Sequence, residues 1–218
     1  MTPKPERSLS VAAIVDRVEE DIVLGRLHPR ERLIEDQLME RFGAKRHVIR
    51  RALLDLEKLG VVERTPNRGA QVLSYTAKTV QQLYEVRTLL ETAAAALIPM
   101  PMPPAALAEL MDIQSGHEEA VRKGDLKMVF RRNIAFHRAL FATCGNPYLT
   151  TTINEYSHRA HVIRFHSLSQ RRSLLRARNE HRAIIAAIKA RNRKALIELC
   201  REHIIPARDA YLKRLPPE

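Results

Sequence analysis

Residues 45–60, KRHVIRRALLDLEKLG, decide the fold of the first part of the chain. The apolar residues of this stretch follow the i, i+3, i+4, i+7 spacing of an amphipathic helix, and they are Ile49, Ala52, Leu53 and Leu56. Cationic residues crowd its leading end, at Lys45, Arg46, Arg50 and Arg51. Positive charge at a helix N-terminus opposes the helix macrodipole. The stretch therefore predicts a helix that packs one face inward and presents a cationic start to an anionic partner or to solvent.

The segments on either side of this helix complete the outline of a winged helix-turn-helix. Helical spacing predicts helices at 9–24 and 35–42, and Gly43 ends the second of them. Two short β runs, at 61–65 and 70–75, flank the turn composition PNRG and predict a hairpin. The order of helix, helix, turn, helix and hairpin is typical of this DNA-binding motif.

From Thr76 onward, the hydrophobic pattern is helical to the end of the chain. Proline and glycine breakers divide it into about six predicted helices, near 77–98, 104–123, 126–143, 147–167, 170–190 and 193–214. We therefore predict a mainly α protein of two domains. A winged helix-turn-helix would occupy residues 1–75 and an all-helical bundle residues 76–218.

The composition is that of a soluble globular protein, because 45% of the 218 residues are hydrophobic and 28% are charged. No apolar run approaches the ~20 residues that span a bilayer, and the stretch MTPKPERSLS lacks the apolar core of a signal peptide. The two cysteines, Cys144 and Cys200, do not form a disulfide framework. We expect a cytoplasmic protein without a membrane partner.

The net charge of +12 suggests a polyanionic partner, but the excess is uneven. Residues 1–75 hold 14 Lys and Arg against 12 Asp and Glu, whereas residues 76–218 hold 23 against 13. DNA binding would therefore depend on where individual cations lie. Helix-turn-helix proteins present the start of their second helix to base edges, where Arg can bridge guanine O6 and N7. Arg68 and Gly69 at the hairpin tip favour DNA binding over a solvated cationic face.

Residues 9–73 resemble the DNA-binding domain of the GntR family of bacterial transcription regulators. The resemblance lies in I..G.L.P...L.E..L...FG from Ile22 to Gly43, in R..IR.AL..LE..G.V from Arg46 to Val62, and in NRGAQV at 67–72. It implies an operator-binding surface made of Lys45, Arg46, His47, Arg50, Arg51, Arg68 and Gly69.

The recognition helix departs from the family pattern Ser-Arg-x-Pro-x-Arg-Glu-Ala-Leu at three positions. Lys45 replaces Ser, Val48 replaces Pro and Arg51 replaces Glu. The loss of Ser removes an expected N-cap. The added positive charge suggests an unusual operator preference.

Three histidines of the helical part, His137, His181 and His203, fall in three different predicted helices. Asn133 precedes His137 by four residues, so the two share one helix face. From the residues alone, three unrelated core or surface histidines remain an alternative, because the chain has no short-range ligand pair such as H-x-x-x-H.

Residues 77–214 resemble the all-helical effector domain of the FCD subgroup, and YEVRTLLETAAAAL at 84–97 is similar to its first helix. The resemblance implies a divalent metal site made of Asn133, His137, His181 and His203. Asn133 stands where the subgroup has Asp. Three imidazoles suit Zn²⁺ or Ni²⁺, and a small carboxylate effector could complete the coordination sphere. Arg87 would bind that effector, unless it forms a salt bridge with Glu91 instead.

Together, these features predict a homodimeric DNA-binding regulator whose operator affinity is controlled by a small organic acid. A metal-dependent hydrolase that uses the three histidines is an alternative, although no Asp or Glu stands out as a general base. A DNA-coating protein without sequence preference is a third possibility. No catalytic sequence motif appears, so we do not expect an enzyme.

Overall fold

The computed structural model of the chain describes residues 9–65, 69–168 and 170–215, with residues 165–168 described by their backbone alone. These residues form ten α-helices and one three-stranded sheet. The predicted mainly α fold is confirmed. The contacts divide the chain into two compact units, one up to Ser74 and the other from Tyr75 onward. None of the helices in the described ranges is long and apolar enough to cross a bilayer.

The first unit contains the three helices that the sequence predicts. They are α1 (Val11–Val23), α2 (Glu35–Phe42) and α3 (Arg46–Lys58). The Ser10 hydroxyl accepts a hydrogen bond from the Ala13 N–H at 3.2 Å and so caps α1. Gly43 ends α2 with a φ of +58°, a left-handed conformation that glycine adopts without strain. Lys45 precedes α3 and forms no side-chain capping bond within the described part of the chain.

The sheet of the first unit has three short antiparallel strands. They are β1 (Arg32–Leu33), β2 (Val62–Thr65) and β3 (Gly69–Val72), in the order β1-β3-β2. The hairpin of β2 and β3 was expected, and Thr65 pairs with Gly69 at the end of the hairpin next to the turn. Strand β1 was not expected, because two residues are too few to show the alternation that identifies a strand.

The core of the first unit confirms the inward face of α3. Each of its four apolar residues is at most 3% exposed, and these are Ile49, Ala52, Leu53 and Leu56. Val18 of α1 and Phe42 of α2 are 0% and 4% exposed, and both α1 and α2 pack on α3. This packing fixes the opposite face of α3 toward solvent.

The second unit is an all-helical bundle of seven helices rather than about six. They are α4 (Ala77–Leu97), α5 (Pro104–Lys123), α6 (Leu126–Ala142), α7 (Pro147–Arg159), α8 (His161–Leu168), α9 (Arg171–Lys189) and α10 (Arg193–Leu212). Side-chain oxygens of Asp125 and Asn192 cap α6 and α10.

The prediction of one helix over 147–167 was wrong, because the helix is interrupted at Ala160. The Ala160 N–H bonds the Tyr156 carbonyl and ends α7, and its side chain is fully buried. α7 then packs on α4 and α6, whereas α8 packs on α9 and α10. Tertiary contacts set this break, and the stretch SHRAHVIRF contains no glycine or proline that could have signalled it.

Candidate functional site

The outward face of α3 carries the cations expected to meet DNA. Lys45, Arg46, His47, Arg50 and Arg51 are all exposed, because the apolar stripe turns the other face of the helix inward. Four of these residues lie within the first two turns, which is the part of a recognition helix that enters the major groove. Their contact with DNA stays a prediction.

Acidic residues of α2 pair with the two arginines that match the family pattern. Arg46 Nη2 lies 2.6 Å from Asp36 Oδ1, and Arg50 Nε donates to both Glu35 oxygens at 3.0 and 3.1 Å. These carboxylates, rather than a phosphate alone, offset the cationic start of α3. Exposed ion pairs of this kind contribute about 0–1 kcal/mol each, so DNA can compete for the arginines.

Two of the remaining predicted DNA contacts, Arg51 and Gly69, lie in α3 and β3. Arg51 Nε lies 3.3 Å from Asp55 Oδ1, one turn along α3. Gly69 is exposed at the start of β3 and has a φ of +84°, which a side chain would strain. Arg68 lies outside the described residues.

Three helices of the second unit bring His137, His181 and His203 together. They come from α6, α9 and α10, and one ring nitrogen of each lies within 4.8 Å of the others. The ring centroids are 4.8 to 5.2 Å apart. His137 and His181 are buried and His203 is largely so. The sequence separates these residues by 44 and 22 positions, so only the bundle makes them neighbours.

Hydrogen bonds to the ring nitrogen that faces away from the cluster orient two of the three histidines. His181 Nδ1 lies 3.0 Å from Gln114 Oε1, and His203 Nδ1 lies 2.7 Å from Glu180 Oε2. The opposite nitrogens are therefore directed toward the centre, where His137 Nε2 and His203 Nε2 are 3.0 Å apart. Such bonds to the far nitrogen orient metal-binding histidines and increase their basicity.

The electrostatics of the cluster keep the imidazoles of His137 and His181 neutral. Burial, reinforced by the neighbouring His203, holds the pKa of His137 and of His181 well below the usual value. Burial would raise the pKa of Glu180, but the bonds from His203 and Arg176 outweigh it and leave that pKa lowered. Neutral imidazole is the form that binds a metal ion.

A cavity of about 80 Å³ opens beside the cluster. Asn133 and His203 line it together with the buried guanidinium of Arg87 and with Arg164. Arg87 forms the salt bridge with Glu91, to which its Nε and Nη2 donate at 3.0 and 2.7 Å. Its Nη1 has no hydrogen-bond partner in the described ranges, so effector binding by Arg87 also stays a prediction. Burial, with the nearby Arg87, lowers the pKa of Arg164 to about 10.

Sequence reasoning missed His117, Gln114 and Glu180, which all adjoin the cluster. His117 of α5 is fully buried, lines the same cavity, and has its ring 5.0 Å from that of His181. Burial lowers its pKa to about 4. A signal existed, because Gln114 and His117 lie in the stripe that Leu110 and Val121 define on α5. Polar residues within an inward-facing stripe mark positions that need a partner.

Family models match both units of the chain. Residues 10–72 match the model described as bacterial regulatory proteins, gntR family, and residues 82–205 match the FCD domain. The chain belongs to the FCD branch of the GntR family. The matched ranges contain α1 to β3 of the first unit and every member of the histidine cluster.

Individual relatives of this FCD regulator agree with the assignment. The HTH-type transcriptional regulator YdhC of Bacillus subtilis is 28% identical over 87% of this chain and 84% of its own length. The structure of E. coli McbR/YncC has a TM-score of 0.78 at 22% identity and covers 92% of this chain and 98% of that chain. The structure of a metal-free FCD domain has a TM-score of 0.54 at 15% identity, and it covers 64% of this chain and 96% of that chain. The relatives give no support to the hydrolase alternative.

The residues of this FCD regulator fit a divalent metal ion. The donor set consists of three imidazoles, and the buried His181 Nε2 has no hydrogen-bond partner among the described residues. A buried nitrogen left in this state costs free energy that a bound ion would remove. His137, His181 and His203 would hold such an ion, and imidazole ligands suit Zn²⁺ or Ni²⁺.

Proposed function

We propose that this GntR-type transcription regulator is a homodimer that binds a near-palindromic operator and changes its operator affinity when a small organic acid binds at a metal ion. The observation that carries the proposal is the cluster of His137, His181 and His203, which opens onto a cavity with a buried arginine. The same chain carries the exposed cations of α3, so one molecule holds both a ligand site and a DNA-binding surface.

The charge balance of the cluster favours an anionic effector. An Asp at position 133 would cancel part of the charge of a divalent ion, whereas the Asn133 amide is neutral. Glu180 lies behind His203 and already accepts hydrogen bonds from His203 and Arg176. A carboxylate that enters from the cavity would add the missing negative charge beside the ion, and Arg87 Nη1 would donate to it.

DNA recognition is assigned to the start of α3 with the hairpin behind it. Arg46 and Arg50 would leave Asp36 and Glu35 and donate to base edges, while Lys45, His47 and Arg51 would contact the backbone. The exchange costs little, since both ion pairs are exposed. The effector then acts through its differential affinity for the arrangements of the protein that fit the operator and those that do not.

An exposed apolar face of α4 supplies a surface for the dimer. Leu89 and Leu97 are 70% and 52% exposed, and the exposed Ala93 and Ala96 lie between them. Tyr148, at the start of the neighbouring α7, is 85% exposed. A contiguous apolar surface marks an interaction site. A second copy of the chain is the partner that a two-fold symmetric operator requires.

Leu89→Glu is expected to convert the dimer into a monomer, because the interface would have to bury an unpaired carboxylate at a cost of several kcal/mol. Light scattering coupled to gel filtration should report twice the 25.0 kDa chain mass for the unaltered protein and a single chain mass for the variant. Met111→Glu is the matched control, since Met111 is 41% exposed on α5. A Leu89→Glu protein that stays dimeric would place the interface elsewhere.

The whole proposal is tested by retention of genomic DNA fragments on zinc-loaded protein, with and without a panel of small organic acids. We expect one fragment to bind more tightly than random DNA by about 10³-fold or more. At least one acid should change that affinity by about 5- to 150-fold, the usual range of allosteric coupling. The acid should have no effect on metal-free protein, and an equal effect without metal would contradict a metal-bound effector.

A further inference from the structure

His117 is a buried side chain whose hydrogen-bonding needs the protein leaves unmet. It is 0% exposed, and neither ring nitrogen has a partner in the part of the chain that the structure describes. Gln114, one turn earlier on α5, has both of its amide atoms engaged by His181, Glu118 and the Arg178 carbonyl. The contrast indicates that His117 is kept for a molecule that enters the cavity.

The position of His117 separates it from the metal ligands. Its ring lies 5.0 Å from that of His181, but it is not among the three histidines whose ligand atoms all lie within 4.8 Å of one another. It lines the cavity together with Asn133 and Arg87. A ligand attached at the metal ion and lying in this cavity would therefore have His117 beside it.

We propose that His117 binds a hydroxyl group of the effector, so that the site prefers hydroxycarboxylic acids to the corresponding plain acids. This inference rests on the proposed function, because it assumes that an acid binds in this cavity. A neutral imidazole offers one donor and one acceptor nitrogen. A carboxylate can only accept from the ring N–H, whereas a hydroxyl group can accept from the N–H or donate to the bare nitrogen, whichever of the two faces the cavity.

The other polar groups of the cavity suit the carboxylate of the effector, which leaves His117 for the hydroxyl group. Arg87 Nη1 can only donate, so it suits a carboxylate oxygen, as does a metal ion. The cavity is small, at about 80 Å³, so it suits an acid with a short carbon chain. The ligand class is therefore a short hydroxycarboxylate, with its acid group at the metal ion or Arg87 and its hydroxyl at His117.

The test compares acids that differ only by a hydroxyl group: propanoate with lactate, and succinate with malate. Calorimetric titration of the zinc-loaded full chain should show at least about tenfold tighter binding of one hydroxy acid than of its partner. In His117→Phe, which keeps a ring but no polar atom, that preference should fall by at least about fivefold. His117→Gln keeps a donor and an acceptor and should restore part of the preference.

The outcomes separate this inference from the proposed function. If no acid binds the zinc-loaded protein, the effector site itself is wrong. If acids bind and the hydroxyl preference is the same in His117→Phe, the function stands and the role of His117 is overturned. A 2-hydroxy acid can also chelate zinc through its hydroxyl group, and it would do so in both proteins. The change in hydroxyl preference between the unaltered protein and His117→Phe therefore measures the contribution of His117. Zinc content should be unchanged in His117→Phe, and its loss would make His117 a metal ligand and overturn the inference as well.

Discussion

Simultaneous replacement of Arg46 and Arg50 with alanine is expected to abolish selective retention of the operator fragment. Each arginine that bridges a guanine contributes about 1–3 kcal/mol of discrimination, so the double variant should lose about 2–6 kcal/mol for the operator and little for random DNA. The fold should survive, since the ion pairs to Asp36 and Glu35 are exposed. Titration of operator and random duplexes at one fixed salt concentration measures both affinities.

A control variant removes the same charge from another place. Arg122→Ala with Arg201→Ala deletes two exposed arginines that pair with Glu119 and Glu198 within their own helices. Because the net charge falls equally in both double variants, a general electrostatic effect would weaken operator binding equally in both. Undiminished selectivity in the Arg46 and Arg50 variant would remove α3 as the recognition element.

Helix α3 shows which structural features can be predicted from the sequence and which cannot. The inward stripe of Ile49 and Leu56 is a local periodicity, and the structure buries both residues completely. The pairing of Arg50 with Glu35 joins residues fifteen positions apart, across a turn whose angle no local pattern encodes. The sequence therefore located the cationic surface, while the acids that neutralise it emerged only in the folded unit.

The helical unit shows the same division between local and long-range information. Caps at Asp125 and Asn192 were predictable, because each cap is a contact within three residues. The break at Ala160 depends on packing against other helices, and it was not predictable from a helix-forming stretch. His117 escaped notice for a related reason: its neighbour His181 is remote in sequence, and only the packing of α5 on α9 brings the two rings together.

Simultaneous replacement of His137 and His181 with alanine is expected to reduce the zinc content from about one ion per chain to almost none. A protein that binds zinc in the folded state alone gains about 2.7 kcal/mol of stability when free zinc is a hundred times the dissociation constant. That gain should be present in the unaltered protein and absent in the double variant. Elemental analysis and urea unfolding, each with and without added zinc, measure the two effects.

His28→Ala with His47→Ala is the matched control, because it deletes two exposed histidines of the first unit and should leave both zinc readouts unchanged. Equal zinc content in the cluster variant and the unaltered protein would show that the three imidazoles are not the metal site. Zinc that binds the cluster and leaves operator affinity unaffected by every acid would instead make the ion structural. In that case the metal would stabilise α6, α9 and α10, and the control of DNA binding would have to originate at another site.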